Sequence, residues 1–350
     1  MPLTPSTLED LLSTGFDTLI DVRSPAEFAE DHIPGAINLP ALSNDERAQV
    51  GTIYVRESAF RARKIGAALV ARNVATHLDG ILAEKDGGWR PLVYCWRGGQ
   101  RSGSVAAILS QIGWRAETIS GGYQTYRRMV VRALYDDPWP SRVILLDGNT
   151  GVAKTEVLRR LGELGHQVLD LEGLARHRGS LFGGTGAPQP SQKGFETGIT
   201  RTLPNLDARR PLIVEAESSK IGERMVPPAL WKAMQTALRL QIDASLAERA
   251  RYLVRAYGRE MEDLREGEAK LGLLVPFHGH ARVDAWRAML AAGELESLAS
   301  ELMSMHYDPR YTKSRAASGA STPKRFETAS LDTDALDGLA QRISAYLKSE

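Results

Sequence analysis

The chain has 350 residues, with 44 Lys plus Arg against 43 Asp plus Glu, 43% hydrophobic and 25% charged residues, and one cysteine. At roughly 100–200 residues per domain, this length predicts two or three domains, each able to build its own core. Balanced charge excludes a globally basic nucleic-acid binder, one cysteine excludes an intrachain disulfide, and no apolar run approaches the ~20 residues of a spanning helix. The first residues show no basic segment followed by an apolar core, so a cytoplasmic protein with a reduced thiol and no membrane contact is expected.

Along the chain, two strand-then-glycine-loop units stand out. In PLVYCWRGGQRSGSVAAIL, Leu92 to Tyr94 predict a short buried strand and Ser104 to Leu109 an apolar helix. In RVILLDGNTGVAKTEVLRRL, Val143 to Leu146 predict a strand and Lys154 to Leu161 a helix. Both put a loop at the carboxyl end of a strand, where open parallel sheets bind ligands. RALYDDPWPSRV, between them, has the prolines and charges of a domain junction. Gly183 to Gly194, rich in Gly, Pro and Ser, predicts a mobile loop. After Leu230 the apolar spacing of three and four predicts mainly helices.

The first loop carries Cys95, Trp96, Arg97, Gly98, Gly99, Gln100, Arg101 and Ser102. A loop of this length can turn successive backbone N–H groups toward one centre, joined by the following helix N-terminus. That arrangement favours an anion and lowers the pKa of Cys95 toward thiolate. Arg101 could add a bidentate grip on phosphate-like oxygens. A buried structural cysteine beside a tight turn is the competing reading. Protein phosphatases use a similar loop, usually with a His before the cysteine; here that residue is Tyr94.

The second loop, GNTGVAKT, offers Gly148, Asn149, Thr150, Gly151, Lys154 and Thr155 as a diphosphate cradle, with Lys154 on the outer oxygens and Thr155 a candidate ligand for Mg²⁺. Ala153 stands where the P-loop pattern has its last glycine. If the position needs a positive φ, alanine costs about 1 kcal/mol or more; a helical φ would make it harmless. A later strand, PLIVEAES, ends in Glu215 and Glu217 where a Walker B acid would normally be Asp.

Upstream of Cys95, LIDVRSPAEFAEDHIPGAINLP (Leu19 to Pro40) resembles the signature of rhodanese domains. In it, Asp21 and Arg23 read as a structural pair. The whole chain resembles the tRNA 2-selenouridine synthase family, a rhodanese domain followed by a P-loop domain. Matching stretches include LSNDERAQVGTIY, DLEGLARHRGSLFGG, PQPSQKGFE, VEAESSKIG and HYDPRYTKS; Ala153 departs from the glycine expected of the family.

The resemblance implies an α/β fold: a rhodanese domain at 1–135, a P-loop NTPase-like α/β domain with a largely helical C-terminal part at 140–310, and a basic loop and helix at 311–350. It implies a transferase that converts 2-thiouridine at the wobble position (U34) of tRNA to 2-selenouridine. Sulfur is first alkylated by geranyl diphosphate; selenium from selenophosphate then replaces the S-geranyl group. Cys95, Arg97 and Arg101 would be catalytic, Cys95 carrying selenium as a perselenide. Trp96, Gly98, Gly99, Gln100 and Ser102 would complete the selenophosphate loop, and the P-loop would hold the geranyl diphosphate. No tightly bound cofactor is implied; the selenophosphate-producing enzyme is a candidate partner beside tRNA.

Other clusters are candidates for substrate and tRNA contact. His177, Arg178, Ser180 and Glu215 could contact substrate. Arg127, Arg128 and Arg132 could meet tRNA phosphates or form a solvated helix face. Arg310, Lys313 and Arg315, interleaved with two tyrosines and followed by Lys324 and Arg325, suit single-stranded RNA unless the tyrosines pack inward. Leu171, Leu174, Leu181 and Phe182 are candidates for a geranyl slot. A sulfurtransferase fused to a small-molecule kinase is the alternative function, which ATP turnover without tRNA would reveal.

Overall fold

The computed structural model describes residues 2–13, 15–179, 183–184, 186–257, 264–317 and 323–349. The chain divides into two compact units, Met1–Pro138 with Pro190–Asn205, and Trp139–Gln189 with Leu206–Glu350.

The first unit contains α1 (Leu8–Leu12), β1 (Thr18–Asp21), α2 (Pro25–Glu30), β2 (Ile37–Asn38), α3 (Asn44–Arg56), α4 (Ala59–Asp79), β3 (Pro91–Tyr94), α5 (Gln100–Ile112), β4 (Glu117–Thr118) and α6 (Gly122–Val131). Its four strands form a parallel sheet in the order β2-β1-β3-β4. Every residue of β3 is buried, as a strand covered on both faces requires. Capping boxes start α1, with Thr7 and Asp10, α2, with Ser24 and Glu27, and α3, with Ser43 and Glu46. Ile20, Val22, Val93, Leu109 and Trp114 lie in the core together with Cys95.

The second unit contains β5 (Val143–Gly148), α7 (Lys154–Glu163), β6 (Gln167–Leu169) and α8 (Leu171–Ala175). The chain then contributes α9 (Gln192–Thr200) to the first unit before returning as β7 (Leu212–Glu215), the hairpin of β8 (Lys220–Ile221) and β9 (Arg224–Met225), α10 (Pro228–Gln235) and β10 (Leu238–Asp243). Helices α11 (Leu246–Tyr257), α12 (Leu264–Gly272), α13 (Val275–Ala291), α14 (Leu295–Leu302) and α15 (Asp308–Ala317) follow, then β11 (Lys324–Glu327) and α16 (Thr333–Ser349). The sheet is parallel, in the order β11-β10-β5-β7-β6. After β5 the order reverses direction, and the loop leaving β5 sits at that switch point.

The region after Leu230 is mainly helical as expected, with two strands besides. In β10, Arg239 and Gln241 interrupt the apolar pattern because they pair with Asp147 and Asp243; β11 buries only Phe326 of its four residues. Two other expectations differ from this architecture. The segment 311–350 is not a separate tail: β11 pairs with β10, and Leu336, Leu339 and Ile343 of α16 share a core with Val157 and Leu161 of α7. The stretch expected as a mobile loop up to Gly194 already enters α9 at Gln192, with Ser191 accepting from the Gly194 amide at its start.

In the first unit, α9 is tied down by polar contacts. Glu196 pairs with Arg127 of α6 and accepts from Tyr135 at 2.6 Å; Tyr126 donates to Thr197 at 2.9 Å, and Lys193 pairs with Glu30 at 2.7 Å. Arg127 is therefore committed to a carboxylate. Of its neighbours, Arg128 donates to Thr125, and Arg132 forms an exposed pair with Asp137.

Candidate functional site

Cys95 follows β3 directly and is 4% exposed. Its Sγ accepts from the Gly99 amide at 3.3 Å and from the Ser102 hydroxyl at 3.2 Å. Burial pushes the thiol up, but the Ser102 hydroxyl, the Ser102 and Gly99 amides and the charge of Arg101 outweigh it, leaving the thiol below its ordinary value. The helix α5 begins at Gln100, four residues before the expected Ser104, because the loop closes tightly on the sulfur.

The floor of this loop is a second pair of glycines that the sequence reading passed over. Gly98 has φ +66°, and a Cβ there would meet the Ile119 carbonyl at 2.5 Å. A Cβ at Gly122, φ +58°, would strike the Cys95 carbonyl and the Gly98 amide. The Tyr123 amide donates to the Cys95 carbonyl at 2.8 Å, and the Gln124 amide to that of Trp96 at 3.1 Å. The run Gly121-Gly122 after a strand was the available signal.

The Arg101 guanidinium is engaged by a carboxylate. It pairs with Glu27 at 3.0 Å, and Arg47 reaches the same carboxylate oxygen at 2.8 Å. Arg97 is exposed at the loop's outer side. Asp21 and Arg23 form the structural pair expected of them, buried at 2.6 Å with the guanidinium 3.9 Å from the Tyr123 ring centroid.

In the second unit the GNTGVAKT loop joins β5 to α7. Gly148 and Gly151 have φ +155° and +84°; a Cβ would meet Val152 Cγ2 at 2.5 Å in the first case and the Arg249 carbonyl at 3.0 Å in the second. Ala153 has φ +60° and ψ +35°, the left-handed conformation, so the harmless alternative of a helical φ does not apply. Lys154 Nζ donates to the Gly148 carbonyl at 3.2 Å, folding the side chain over the loop. Burial pushes this amine down, but Tyr311, Glu217, Glu172 and Asp147 outweigh it and keep the ammonium charged well above its ordinary range. The first-turn amides of α7, which have no partners within a helix, give this lysine a second source of positive potential.

Thr155 donates to Glu172 at 3.3 Å, and no group of three or more His, Cys, Asp or Glu suited to a metal exists among the described residues. Glu215 is fully buried at the end of β7, and its Oε2 accepts from the Leu171 amide at 3.1 Å and the Glu172 amide at 3.4 Å. It thus caps α8 through Oε2, while its Oε1 has no hydrogen-bond partner among the described residues. Burial, with Asp170 and Glu172 nearby, pushes its carboxyl well up.

The α15 residues expected on an RNA surface divide. Arg315 donates to Asp147 at 3.0 Å and to Asn149 Oδ1 at 2.8 Å, so it belongs to the P-loop rather than to solvent. Tyr311 packs inward, its ring centroid 5.6 Å from Lys154 Nζ. Arg310 and Lys313 are exposed, with Arg310 4.7 Å from the Phe277 ring centroid. In β11, Arg325 pairs with Asp243, and Lys324 lies 5.2 Å from the Tyr346 ring centroid. Arg249 holds α15 in place through Asp308 at 2.8 Å and the Thr150 carbonyl at 3.1 Å, a link no local pattern announced.

Beside the P-loop the second unit encloses a cavity of about 690 Å³. Trp231, Met234, Leu273 and Phe277 give it apolar walls, and Arg310, Tyr311 and Arg315 line it with Asp147 and Glu217. Leu171, proposed from sequence for a prenyl slot, is instead core, and neither it nor Leu174 lines this cavity; Leu181 and Phe182 lie outside the described residues. So does Ser180. His177 and Arg178 belong to a small turn bridged to residues 183–184, where His177 Nδ1 accepts from the Gly179 amide at 3.2 Å and burial pushes the imidazole's pKa down.

Two carboxylates face the cavity in opposite electrostatic states. Asp147 is pushed up by burial but held below its ordinary value by Arg315, the Gly148 amide and Arg239. Glu217 is pushed up to about 8, first by burial and then by Glu172, against the opposing charge of Lys154. Its Oε1 is buried with no hydrogen-bond partner among the described residues.

A thiolate-favouring loop after a parallel strand in one unit and a P-loop cradle in the other define a rhodanese domain joined to a P-loop domain. Residues 4–129 match the family model of the rhodanese-like domain, and residues 141–273 that of the tRNA 2-selenouridine synthase AAA domain. The tRNA 2-selenouridine synthase of Nitrosomonas europaea is 36% identical over 239 residues, 66% of this chain and 61% of that protein. That of Bdellovibrio bacteriovorus is 36% identical over 255 residues, 70% and 65%, and that of Salmonella arizonae 39% over 226 residues, 63% and 60%. The chain spans just under two thirds of the length of these relatives. It belongs to the tRNA 2-selenouridine synthase family. No helix among the described residues is long and apolar enough to cross a membrane.

Proposed function

We propose that this chain exchanges sulfur for selenium at C2 of the wobble 2-thiouridine of tRNA in two steps divided between its two loops. In the first, the nucleobase sulfur attacks C1 of geranyl diphosphate in the P-loop unit and pyrophosphate departs. Lys154 and the first turn of α7 stabilise the departing charge. In the second, the selenium of selenophosphate, held at the Cys95 loop, attacks C2, geranylthiolate departs, and water cleaves the P–Se bond to leave phosphate. Alkylation first is chemically sensible, because a thiocarbonyl sulfur leaves poorly and an alkylthiolate leaves well.

The observation that carries the reading is the cavity of about 690 Å³ beside the P-loop, which joins apolar walls to a cationic end within one unit. A ten-carbon prenyl chain needs apolar surface beside its diphosphate, and Trp231, Met234, Leu273 and Phe277 offer it. The relatives' names support tRNA as the substrate.

The test is mass spectrometry of nucleosides from 2-thiouridine tRNA incubated with the protein. Geranyl diphosphate alone should give S-geranyl-2-thiouridine, and adding selenophosphate should convert it to 2-selenouridine. ATP turnover without tRNA, together with no alkylated nucleoside, would favour a sulfurtransferase–kinase instead.

A further inference from the structure

We propose that Glu217 is the general base of the alkylation step, taking the N3 proton of the thiolated uracil as its sulfur attacks the prenyl diphosphate. This rests on the reading of the P-loop unit as the alkylation site.

The reaction itself demands such a group. A 2-thiouracil ring bears hydrogen on N3, next to the C2=S bond. When the sulfur bonds to C1 of the prenyl chain, the C1–O bond breaks and pyrophosphate leaves with that electron pair. The ring becomes neutral only when N3 gives up its proton, the N–H electron pair forming the C2=N3 double bond. One proton is therefore released per turnover, from a nitrogen two bonds from the attacking sulfur, inside a site that must exclude water from an allylic electrophile.

Asp147 and Glu217 are the carboxylates lining the cavity among the described residues. Asp147 is occupied by Arg239 at 3.1 Å, Arg315 at 3.0 Å and the Gly148 amide at 2.6 Å. Glu217 has an oxygen without a partner, buried rather than solvated. Its other oxygen lies against Gly179, whose φ of +65° and missing side chain leave it room: a Cβ there would come within 2.5 Å of Oε2. The charge of Lys154 acts on Glu217, which puts the proton acceptor beside the cation that holds the leaving group. Pairs of acids whose surroundings drive their ionisation apart mark acid–base roles, and here the less acidic member is Glu217, which hydrogen-bonds the Glu172 carboxyl and keeps Oε1 without a partner among the described residues.

The groups facing Glu217 are Asp147 from β5, Lys154 from α7, Glu172 from α8, Glu215 from β7, and Tyr311 from α15; Arg239, His306, Arg310 and Arg315 share the cavity. Of these, the two cationic partners that hold Asp147 also keep it from serving as a substitute base.

The experiment is single-turnover S-geranylation of 2-thiouridine tRNA by wild type, Glu217→Gln and Glu217→Asp between about pH 6 and 9. General-base removal typically slows a step about 10²–10⁴-fold. Glu217→Gln is expected to lose at least about a hundredfold and to flatten the wild type's rise in rate with pH, while binding inorganic pyrophosphate as wild type does by calorimetry. Glu217→Asp should be slower yet keep the rise, and it carries the test if the glutamine variant fails to fold. A wild-type rate in Glu217→Gln, or a slower rate with an unchanged pH profile, would overturn the assignment. No S-geranyl product from the wild type would overturn the P-loop reading and this inference with it.

Discussion

The Ser102 hydroxyl lies 3.2 Å from Cys95 Sγ and 3.3 Å from the Gly99 carbonyl, so one proton chooses between two acceptors. Ionising the thiol makes the sulfur the stronger acceptor and draws the proton to it. A hydrogen bond to a charged group contributes about 1.5–3 kcal/mol, and one pKa unit corresponds to about 1.4 kcal/mol. Ser102→Ala should therefore raise the Cys95 pKa by about 1–2 units. The pH dependence of iodoacetamide alkylation reads this directly, because Cys95 is the chain's one thiol; an unshifted midpoint would show that the hydroxyl serves Gly99.

Lys154→Ala removes the ammonium from the departing pyrophosphate. One such preorganised contact is worth about 3–4 kcal/mol, so S-geranylation should fall roughly a hundred- to thousandfold. Selenation of tRNA geranylated beforehand should continue. Parallel single-turnover assays with plain and pre-geranylated tRNA separate the steps, and equal loss of both would mean one shared site.

Ala153 combines a left-handed backbone with a methyl group buried beside Val152 and Val157. Glycine would relieve about 1–2 kcal/mol of backbone strain. It would also lose a buried methyl worth about 0.8 kcal/mol and gain unfolded-state entropy of about 0.4–1 kcal/mol. These effects nearly cancel, which explains how alanine is tolerated. Ala153→Gly should leave Tm within a few degrees of wild type, whereas Ala153→Val, β-branched at positive φ, should lower it clearly. Thermal melts followed by circular dichroism check this, and a large gain in Ala153→Gly would mean that backbone strain dominates the balance.

Glu215 is held up by burial and by Asp170 and Glu172, so the folded protein binds its proton more tightly than the unfolded chain does. The resulting stability is full below the ordinary Glu pKa of about 4.3 and is lost as pH rises toward the folded value. Glu215→Gln keeps an acceptor for the Leu171 and Glu172 amides but carries no charge. Its Tm should exceed that of wild type in mildly alkaline buffer, with the gap closing toward about pH 5. A gap independent of pH would mean the carboxyl is not the titrating group.

Removing the carboxylate at Glu196 strands Arg127, whose Nη1 is already buried without a partner among the described residues. Breaking a buried pair from one side costs about 3–5 kcal/mol. Glu196→Ala should lower the melting temperature of the first unit and, by loosening α9, expose Lys193 to limited trypsin digestion. Unchanged cleavage there would place the anchoring of α9 in Tyr126 and Thr197 instead.

Both loops were legible because their chemistry is local: five residues from Cys95 to Gly99 define one, and eight from Gly148 to Thr155 the other. The same locality made β3, β5 and β7 readable, since strands buried on both faces are continuous apolar runs. What sequence concealed depends on partners distant along the chain. Arg315 looked like a solvent-facing cation, and only the fold brings Asp147 and Asn149 to it. Glu215 looked like a site acid, yet the amides of α8 claim its Oε2. The cavity's walls come from α10, α12, α13 and α15, so no single periodicity could outline it. Ala153 raised a question that only a measured φ answers.

The placement of α9 also sets an order of events during synthesis. The first unit needs residues up to Asn205, whereas its earlier portion ends at Pro138. At ~5–20 residues per second, the ribosome adds the intervening stretch in roughly 3–10 seconds. Throughout that interval the nascent chain holds Tyr126, Arg127 and Tyr135 without the helix that satisfies them, while β5, the P-loop and α7 emerge. Neither unit can be completed before the other has begun, so the two loops of this protein reach working form through interleaved rather than successive folding.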